Sequence, residues 1–359
     1  MSVLARLGWT DFFENQRQRI ERRDLLFARV VEMQRGWFRV AGEFEGLTET
    51  SGRFRYDATE ASNMPAVGDW VGVRVAEGEG RGVIHVRLER QSTVSRAGGG
   101  SASSEQVLAA NVDTIFVVCA LAEDFNLRRI ERYLTIAWDA GATPVVLLTK
   151  ADICDDVDAS CRAVRQRLPF VDALAVSAVS GSGMDALDGY LRPGQTVVLL
   201  GSSGVGKSTL VNRLIGRDDQ RVGAIRESDG RGRHVTTARQ LFEVRDGALL
   251  IDTPGLREVQ AWDGESGVAG AFDDVNALAR GCRFSDCAHE GEPGCAVLEA
   301  VEAGRLDADR LEHFRRLVRE AAFEARKHDK ALAANTKRRW KQVHKAAREM
   351  YKDRERDRS

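Results

Sequence analysis

A glycine-rich segment at residues 201–208, GSSGVGKS, constrains the fold of this chain more than any other feature. It follows an apolar run at 197–200 that is typical of a buried strand, and a helical pattern begins at Lys207. Glycines let the backbone curl so that its N–H groups converge on phosphate oxygens, and the N-terminus of the next helix favours anions. The alternative, a glycine-rich turn that arises by chance, would not require a strand before it and a helix after it. The order strand, loop, Lys-Ser and helix therefore predicts a phosphate-binding loop.

Residues 252–255, DTPG, supply a second part of this predicted phosphate site. They follow another apolar run at 248–251, so Asp252 stands at a strand end, where it would hold magnesium. The amide of Gly255 would contact the terminal phosphate. In the loop itself, Lys207 would contact the outer phosphates and Ser208 would join the magnesium ligands. The tetrapeptide is common, and it gains weight here because it follows a phosphate loop.

A phosphate loop does not select its base, but the segment Thr149-Lys150-Ala151-Asp152 could do so. A carboxylate can accept two hydrogen bonds from the N1–H and the exocyclic amine of guanine, a donor pair that adenine lacks. The stem of Lys150 can lie along the purine face, and Ser177-Ala178 could bring a backbone N–H to guanine O6. Alone, the segment equally fits an ordinary helix start with an aspartate cap. Beside the phosphate loop it favours guanine.

The order of these motifs is unusual. The base segment precedes the phosphate loop by about fifty residues, whereas it follows the loop in Ras-like GTPases. Such a circular permutation is physically mild when the old termini lie close together on one sheet. One consequence is that the chain passes from the phosphate-sensing segment 252–255 directly into a Cys/His-rich region.

The remaining patterns predict a soluble chain of several domains. Residues 1–24 suggest a short polar helix or a frayed arm, and a glycine- and serine-rich segment at 97–104 suggests a flexible linker. Between them, short apolar runs predict a five-stranded barrel at 25–100, for which an OB-fold is the first candidate and an SH3-like barrel the alternative. Residues 105–275 alternate strand and helix, which predicts a parallel sheet covered by helices. The expected barrel strands are 25–33, 37–41, 52–56, 69–75 and 82–88; the expected later elements are strands at 114–120, 144–149, 173–176, 196–200 and 248–251 and helices at 127–140 and 207–215.

Three cysteines and one histidine crowd into residues 282–295. In a reducing cytosol such a cluster favours a metal over a disulfide framework. Three thiolates and one imidazole suit a closed, structural zinc site with no open position for water. The predicted ligands are Cys282, Cys287, His289 and Cys295, whereas Cys119 lies in an apolar run and is expected to be simply buried.

Charge is unevenly distributed along the chain. The net charge is only −1, yet residues 326–358 carry 13 Lys plus Arg against 5 Asp plus Glu. A basic segment on an acidic body suggests contact with nucleic acid, although a solvated helix face would have the same composition. Aromatic side chains that could stack on RNA are Trp37, Phe38 and Phe54 in the barrel and Trp340 in the tail. No apolar run reaches the roughly 20 residues that span a bilayer, so no membrane contact and a cytoplasmic location are expected.

Together these features resemble the RsgA family, also called YjeQ or EngC, of small ribosomal subunit-dependent GTPases. The resemblance includes the segments NVD at 111–113, EDFNL at 123–127, AIRE at 224–227 and GRHVTT at 232–237. It implies an OB-fold, a circularly permuted GTPase domain at 105–275 and a zinc-binding helical domain with a basic tail at 276–359. It further implies late maturation of the small subunit and slow intrinsic GTP hydrolysis that the subunit accelerates.

Two departures from the family pattern affect individual residues. Thr149 stands where many GTPases have Asn, so a contact that supports the base segment is open to question. The usual triple Thr after the histidine is Val235-Thr236-Thr237 here, which leaves Thr236 and Thr237 as alternative magnesium ligands. In Ras-like enzymes a Gln after D-x-x-G orients water, but Leu256 stands there. His234 is the candidate for that role, with an exposed RNA-contacting histidine as the alternative.

The motifs predict a GTPase that binds GTP or GDP, uses Mg²⁺ with GTP and holds one structural Zn²⁺. The resemblance to the RsgA family implies a role in ribosome biogenesis and binding to the small subunit with its rRNA. A monomer is expected. His234 and Lys207 are the expected catalytic residues, and Ser208, Thr236, Thr237 and Asp252 the expected magnesium ligands. The alternatives are a GTP-dependent RNA-binding adaptor with negligible catalysis and an ATPase or kinase built on the same loop. The expected GTP-binding residues are Thr149, Lys150, Asp152, Ser177, Ala178, Gly201, Ser202, Ser203, Gly204, Val205, Gly206, Lys207, Ser208, Thr209, Asp252 and Gly255.

Overall fold

The computed structural model describes residues 2–34, 36–58, 60–75, 80–97, 105–121, 125–169, 171–216, 239–252 and 272–319. Within these ranges the chain forms a closed barrel, a mainly parallel sheet and a small helical module that carries the Cys/His cluster. No helix among the described residues is long and apolar enough to cross a membrane.

The barrel contains five strands whose pairing identifies its topology. They are β1 (Leu26–Gln34), β2 (Trp37–Gly42), β3 (Gly46–Thr50), β4 (Trp70–Val75) and β5 (Arg81–Arg87). The order β1-β2-β3-β5-β4 closes on itself because β1 also pairs with β4, and β3 runs parallel to β5. This closure is the five-stranded Greek-key arrangement of an OB-fold, so that alternative is confirmed over the SH3-like one.

One predicted barrel strand was wrong. Residues 52–56 lie in a helix, α3 (Gly52–Asp57), which begins where the Ser51 hydroxyl accepts a hydrogen bond from the Phe54 amide. The third strand is instead β3, which the alternation of polar and small residues at 46–50 concealed. Phe38 was also wrong as an exposed stacking candidate, because its side chain is buried inside the barrel. Trp37 and Phe54 are half-buried, whereas Tyr56 is 86% exposed.

The N-terminal residues form two helices that pack on the barrel, α1 (Val3–Arg6) and α2 (Asp11–Arg19). Phe13 is buried against Trp70, and Trp9 meets Trp70 edge-on with ring centroids 4.8 Å apart. Burial of these aromatic rings stabilises the docked arm, since each ring removes a large apolar area from water. Of the two alternatives expected for residues 1–24, a short helix or a frayed arm, the described residues confirm the helical one, as two helices.

The glycine- and serine-rich segment connects two strands of one hairpin. Strand β6 (Thr93–Ala97) pairs antiparallel with β7 (Glu105–Ala110), so Ala97 is not part of a linker but the end of a strand. Residues 98–104 lie outside the described residues. The segment that we expected to be a linker between domains therefore connects two strands of one hairpin.

Beyond the hairpin the chain builds the parallel sheet. Its strands are β8 (Thr114–Ala120), β9 (Thr143–Thr149), β10 (Asp172–Ala175), β11 (Thr196–Leu200), β12 (Arg239–Glu243) and β13 (Leu249–Asp252), and its described helices are α4 (Leu127–Asp139), α5 (Val157–Arg167) and α6 (Lys207–Ile215). The order β10-β9-β8-β11-β13 is parallel throughout, and β12 adds antiparallel to β13. The apolar runs predicted the parallel strands within one residue at each end, because buried parallel strands are nearly continuous in Val, Ile and Leu.

The C-terminal module comprises α7 (Asp273–Ala279), α8 (Ala296–Glu302) and a helix at 308–319, named α9 here. The module has its own apolar core around Phe272, Val297 and Leu311. Trp138 of α4 packs both against this core and against the core of the parallel sheet. The module is therefore seated on α4.

Barrel and parallel sheet are joined by pairing and by one buried arginine. Strand β1 pairs with β12 at Glu32 and Met33, which makes one eleven-stranded sheet of both. Arg29, 1% exposed, donates to the carbonyls of Leu7 (2.6 Å) and Asn111 (2.9 Å). It also donates to the carbonyl of Gly68 at 3.0 Å and to the hydroxyl of Thr196 at 2.9 Å. Burial lowers the pKa of Arg29 to about 10, so the side chain remains a cation at neutral pH.

We expect Arg29→Met to lower the free energy of unfolding by about 3 kcal/mol, because buried carbonyls lose their donors. Arg74→Met, on the exposed face of the neighbouring strand β4, is the matched control and should change stability little. Urea unfolding monitored by tryptophan fluorescence measures both variants. Equal stability of the two variants would contradict the role assigned to Arg29.

Candidate nucleotide site and metal centre

The phosphate loop joins β11 to α6 as predicted. Gly206 forms the N-cap of α6 with φ at +94°, a left-handed conformation that favours glycine. A Cβ atom at Gly201 would overlap the carbonyl oxygen of Val118 on the adjacent strand β8. Glycine at both positions therefore lets the loop curl closely over the end of the sheet.

Lys207 lies across the concave side of this loop. Its Nζ donates to the carbonyl of Gly201 at 2.6 Å and to the carbonyl of Ser202. The ammonium group is thus held among the backbone groups of the loop, where the N-terminus of α6 adds positive potential. The arrangement is suited to binding an anion with several oxygens.

Asp252 and the phosphate loop lie at the same edge of the sheet. Strands β11 and β13 are parallel neighbours, with Val198 opposite Ile251. Because the carboxyl ends of parallel strands meet at one edge, Asp252 at the end of β13 stands beside the start of the loop. Gly255, His234, Thr236 and Thr237 lie outside the described residues, so their predicted roles stay predictions.

The base segment comes to this edge through β9. Thr149 ends the strand and is buried, and its hydroxyl lies 2.5 Å from the carbonyl of Val205 and 3.3 Å from that of Cys119. A hydroxyl carries one proton, and the shorter contact makes the Val205 carbonyl the main acceptor. Threonine therefore provides a direct link between the base segment and the phosphate loop, the contact that its replacement of Asn left in question.

After Thr149 the chain turns sharply outward. Lys150 has a left-handed conformation (φ 60°) and leads into a 3₁₀ turn, Ala151–Ile153, on which the Asp152 side chain is exposed. The Ala151 amide donates to the carbonyl of Val176 at 3.3 Å, which fastens this turn to the end of the neighbouring strand β10. The carboxylate is held at the sheet edge and faces solvent.

The Ser177-Ala178 segment forms a tight loop beside that turn. Ser177 is fully buried, its amide donates to the carbonyl of Ser182 at 2.9 Å, and its hydroxyl accepts from the Ser180 amide at 3.1 Å. Because the Ser177 amide is occupied, the Ala178 amide is the better donor for a bound base. The two segments predicted to select the base thus lie next to each other, and β8 alone separates β9 from β11 and the loop that follows it.

Sequence reasoning missed one cation at this site. Arg129, in the first turn of α4, donates from Nη1 to the Ser202 hydroxyl of the phosphate loop at 3.2 Å. The helix starts at the Asn126 cap, whose side chain accepts from the Arg129 amide at 3.1 Å. No motif could have identified Arg129, because its proximity to residue 202 arises only from the packing of α4 on the sheet.

The Cys/His cluster assembles as predicted. The ligand atoms of Cys282, Cys287, His289 and Cys295 all lie within 4.8 Å of one another. The Sγ atoms of Cys282 and Cys295 are 3.9 Å apart, and His289 Nδ1 lies 3.6 Å from the first and 3.4 Å from the second. Tetrahedral zinc with bonds of about 2.3 Å to sulfur and 2.0 Å to nitrogen requires separations of roughly 3.5 to 3.8 Å. Cys282, His289 and Cys295 lie close to these separations and Cys287 lies within 4.8 Å of them, so the four side chains could hold a metal ion.

Two further features suit a cation at the cluster. Burial, together with the neighbouring thiols of Cys295 and Cys282, raises the pKa of the Cys287 thiol to about 11, a cost that a bound cation would remove. Between the ligands, Glu292 accepts hydrogen bonds from the amides of Ala288, Glu290 and Gly291. Its own backbone amide, together with these three, lowers its pKa to about 2. The Glu292 carboxylate thereby fixes the loop that carries His289.

Comparison with known proteins decides the family. A sequence model of the RsgA GTPase family matches residues 87–262. Over 96% of its length the chain is 44% identical to the small ribosomal subunit biogenesis GTPase RsgA of Opitutus terrae, 97% of which is covered. It is 41% identical to RsgA 2 of Vibrio vulnificus over 98% of the chain and 96% of that relative.

This chain belongs to the RsgA GTPase family.

Solved structures agree with the RsgA assignment at the level of the fold. The crystal structure of YjeQ from Thermotoga maritima has a TM-score of 0.64 and 26% identity, covering 83% of this chain and 99% of that one. The crystal structure of YloQ, described as a circularly permuted GTPase, has a TM-score of 0.59 and 23% identity, covering 84% and 96%. The inverted motif order read from the sequence is therefore a property of this fold.

We expect the purified RsgA-family protein to hold about one equivalent of zinc, because three thiols and one imidazole within 4.8 Å of one another are the donors of a structural zinc site. Cys287→Ser should lower the zinc content to less than half an equivalent. Cys154→Ser is the control, since its thiol lies outside the cluster. Elemental analysis of the three proteins measures the effect, and equal zinc in both variants would contradict the assignment.

Proposed function

We propose that this protein binds and hydrolyses GTP at the edge formed by β9, β8 and β11, and that it acts in the maturation of the small ribosomal subunit. The observation that carries the proposal is the 2.5 Å contact between the Thr149 hydroxyl and the Val205 carbonyl, which joins a guanine-type segment to a phosphate loop. Family membership supports the GTPase activity, and the names of its relatives support the ribosomal role.

Guanine would be selected by three groups at the ends of β9 and β10. The Asp152 carboxylate would accept from N1–H and the exocyclic amine, the Lys150 stem would cover one purine face, and the Ala178 amide would donate to O6. The Ser177 backbone is already held by its own loop, which orients the Ala178 amide before the base arrives. Such preorganisation reduces the entropy lost on binding.

The triphosphate would be held by backbone amides of residues 201–206 and by Lys207, which would stabilise charge on the outer phosphates during transfer. Ser202, Ser203 and Thr209 would line this contact. Ser208 and Asp252, with Thr236 or Thr237, would hold Mg²⁺, which supplies charge neutralisation at the phosphates. The Gly255 amide would contact the terminal phosphate.

The water that attacks the terminal phosphate needs a polar side chain to orient it. The Leu256 side chain has no hydrogen-bonding group and cannot do so. We assign the positioning of water to His234, which the sequence puts in the segment between the phosphate loop and Asp252. A site whose water-positioning group comes from a separate segment would turn over slowly until a partner completes it. The small subunit is the proposed partner that accelerates hydrolysis.

The remaining assignments concern the surroundings of the GTPase. Zinc is the proposed ion of the Cys/His cluster, with a structural role. The barrel and the basic tail are the proposed rRNA contacts, and Trp37, stacked under Arg81 at 5.0 Å, offers an aromatic face with a neighbouring cation. We also propose a cytoplasmic monomer divided into an arm at 1–24, a barrel at 25–100, a GTPase domain at 105–275 and a zinc domain at 276–359.

We expect Thr149→Val to release GDP about tenfold faster, because the Val205 carbonyl loses its donor and a tenfold change corresponds to about 1.4 kcal/mol. Thr149→Ser retains the hydroxyl and should behave like the wild type. Stopped-flow release of fluorescent GDP measures both. Identical release rates for the Val and Ser variants would count against the link between the two segments.

The function itself is tested by single-turnover GTP hydrolysis with and without purified small ribosomal subunits. Hydrolysis should be slow alone and at least about tenfold faster with subunits, and His234→Ala should lose about a hundredfold of the stimulated rate while its GTP affinity, measured by filter binding, is retained. Negligible hydrolysis under both conditions would favour the RNA-binding adaptor, and equal competition by ATP would favour an ATPase or kinase.

A further inference from the structure

Helix α4 carries a carboxylate that has no access to solvent. Glu131 is 0% exposed, and its Oε1 accepts from Arg167 Nε at 2.7 Å and from Arg310 Nη1 at 2.6 Å. Its Oε2 lies 2.5 Å from His313 Nδ1. Burial alone would raise the pKa of Glu131, but the hydrogen bonds from His313 and Arg167 and the charges of Arg167 and Arg310 outweigh it and lower the pKa. The group is an anion fixed by three donors.

Two of those donors belong to the C-terminal module. Arg310 and His313 lie on α9, and Arg310 is itself held by Asp274 of α7, with Nη2 to Oδ1 at 2.6 Å. Arg310 also stacks over the Phe272 ring at 4.7 Å. Glu131 therefore bonds helix α4 of the parallel-sheet domain to the inside of the module. A buried charge network of this kind has one well-defined geometry, since any shift leaves a charge unpaired.

On the module side, aromatic rings connect this network to the metal ligands. The ring of His313 meets Phe272 with centroids 5.8 Å apart, and Phe272 meets Phe314 at 5.4 Å. Phe314 in turn lies 6.2 Å from the ring of His289. A change in the position of the His289 ligand is therefore transmitted by direct packing to the residues that hold Glu131.

On the nucleotide side, α4 connects the network to the phosphate loop. Arg129 stands two residues before Glu131 and donates to the Ser202 hydroxyl. Two residues apart on a helix point in nearly opposite directions, so the same turn is bonded to the module on one side and to the loop on the other. Ile130 and Leu134 of α4 are buried in the sheet core. These two side chains anchor the helix and would act as the pivot if it tilts.

We propose that Glu131 is a positioning residue through which the metal-binding module controls how tightly the phosphate loop binds its nucleotide. The relay consists of His289, Phe314, Phe272, His313, Glu131, Arg129 and Ser202. Displacement of the module moves Glu131, tilts α4 and shifts Arg129 away from Ser202, which loosens the loop. The proposal rests on the proposed function, because it requires a nucleotide at the loop.

The test uses the full-length zinc-bound protein and release of N-methylanthraniloyl-GDP. His313→Phe keeps a ring against Phe272 but removes the donor to Glu131, and it should release the nucleotide about five to twenty times faster than wild type, the range of a modest coupling between sites. His313→Asn places an amide donor near the Nδ1 position and should restore slow release. Asp309→Asn is the matched control, because it breaks the exposed 2.6 Å pair with Arg128 that joins the same two helices.

A double-variant cycle distinguishes a relay from general destabilisation. Arg129→Ala should speed release by itself, and adding His313→Phe to Arg129→Ala should have no further effect. Effects that multiply in the double variant would overturn the relay, as would a His313→Phe protein that releases nucleotide at the rate of Asp309→Asn. Zinc content and melting temperature are measured for each protein.

If His313→Phe loses zinc or does not fold, Arg310→Lys takes its place, since it keeps the charge but loses the fork that joins Glu131 to Asp274. Accelerated release with retained zinc supports the relay, and unchanged release overturns it. Wild-type protein that fails to bind the labelled GDP would overturn the proposed function and the relay together, whereas normal wild-type binding with an unresponsive variant overturns the relay alone.

Discussion

Parallel pairing of β8 with its two neighbours, β9 and β11, is the constraint on which the rest of the structure depends. It brings the carboxyl ends of three strands to one edge, regardless of the order in which the chain visits them. The base segment ends β9 and the phosphate loop follows β11, so the inverted order in sequence leaves their spatial relation intact. Thr149 completes the arrangement, because its side chain spans the end of β8 to reach Val205. The chemistry of the site is thus a property of the sheet edge.

Much of this arrangement follows from the sequence, because the residues concerned act locally. The buried strands of the parallel sheet, the glycine turns of the phosphate loop and the close spacing of Cys282, Cys287, His289 and Cys295 all have patterns that short-range physics dictates. The helix α3 was mistaken for a strand because Phe54 and Tyr56 alternate with polar residues, and only the Ser51 cap distinguishes the two. At position 149 the sequence raised a doubt that the structure removes. Thr149 stands where many GTPases have Asn, yet its hydroxyl donates to the Val205 carbonyl.

What the sequence could not indicate is which distant groups form the hydrogen bonds of the two buried charges. Arg29 meets partners from residues 7, 68, 111 and 196, and Glu131 meets partners from 167, 310 and 313. Neither lies in a motif, and both look like surface residues in a linear reading. Their burial is tolerated because every shared contact is charge-assisted or goes to a backbone carbonyl, which offsets the desolvation of the ion. Buried ions of this kind specify one docking geometry between units that apolar packing alone would allow to slide.

Strand β1 belongs to two bodies at once. It pairs with β2 and β4 inside the barrel and, at Glu32 and Met33, with β12 of the nucleotide domain. Because the backbone of β1 pairs on both sides, the barrel of one homologue can replace that of another only if the residues of β1 and β12 that pair still match. We therefore expect the paired residues of β1 and β12 to co-vary among homologues, so that the barrel and the parallel-sheet domain diverge together.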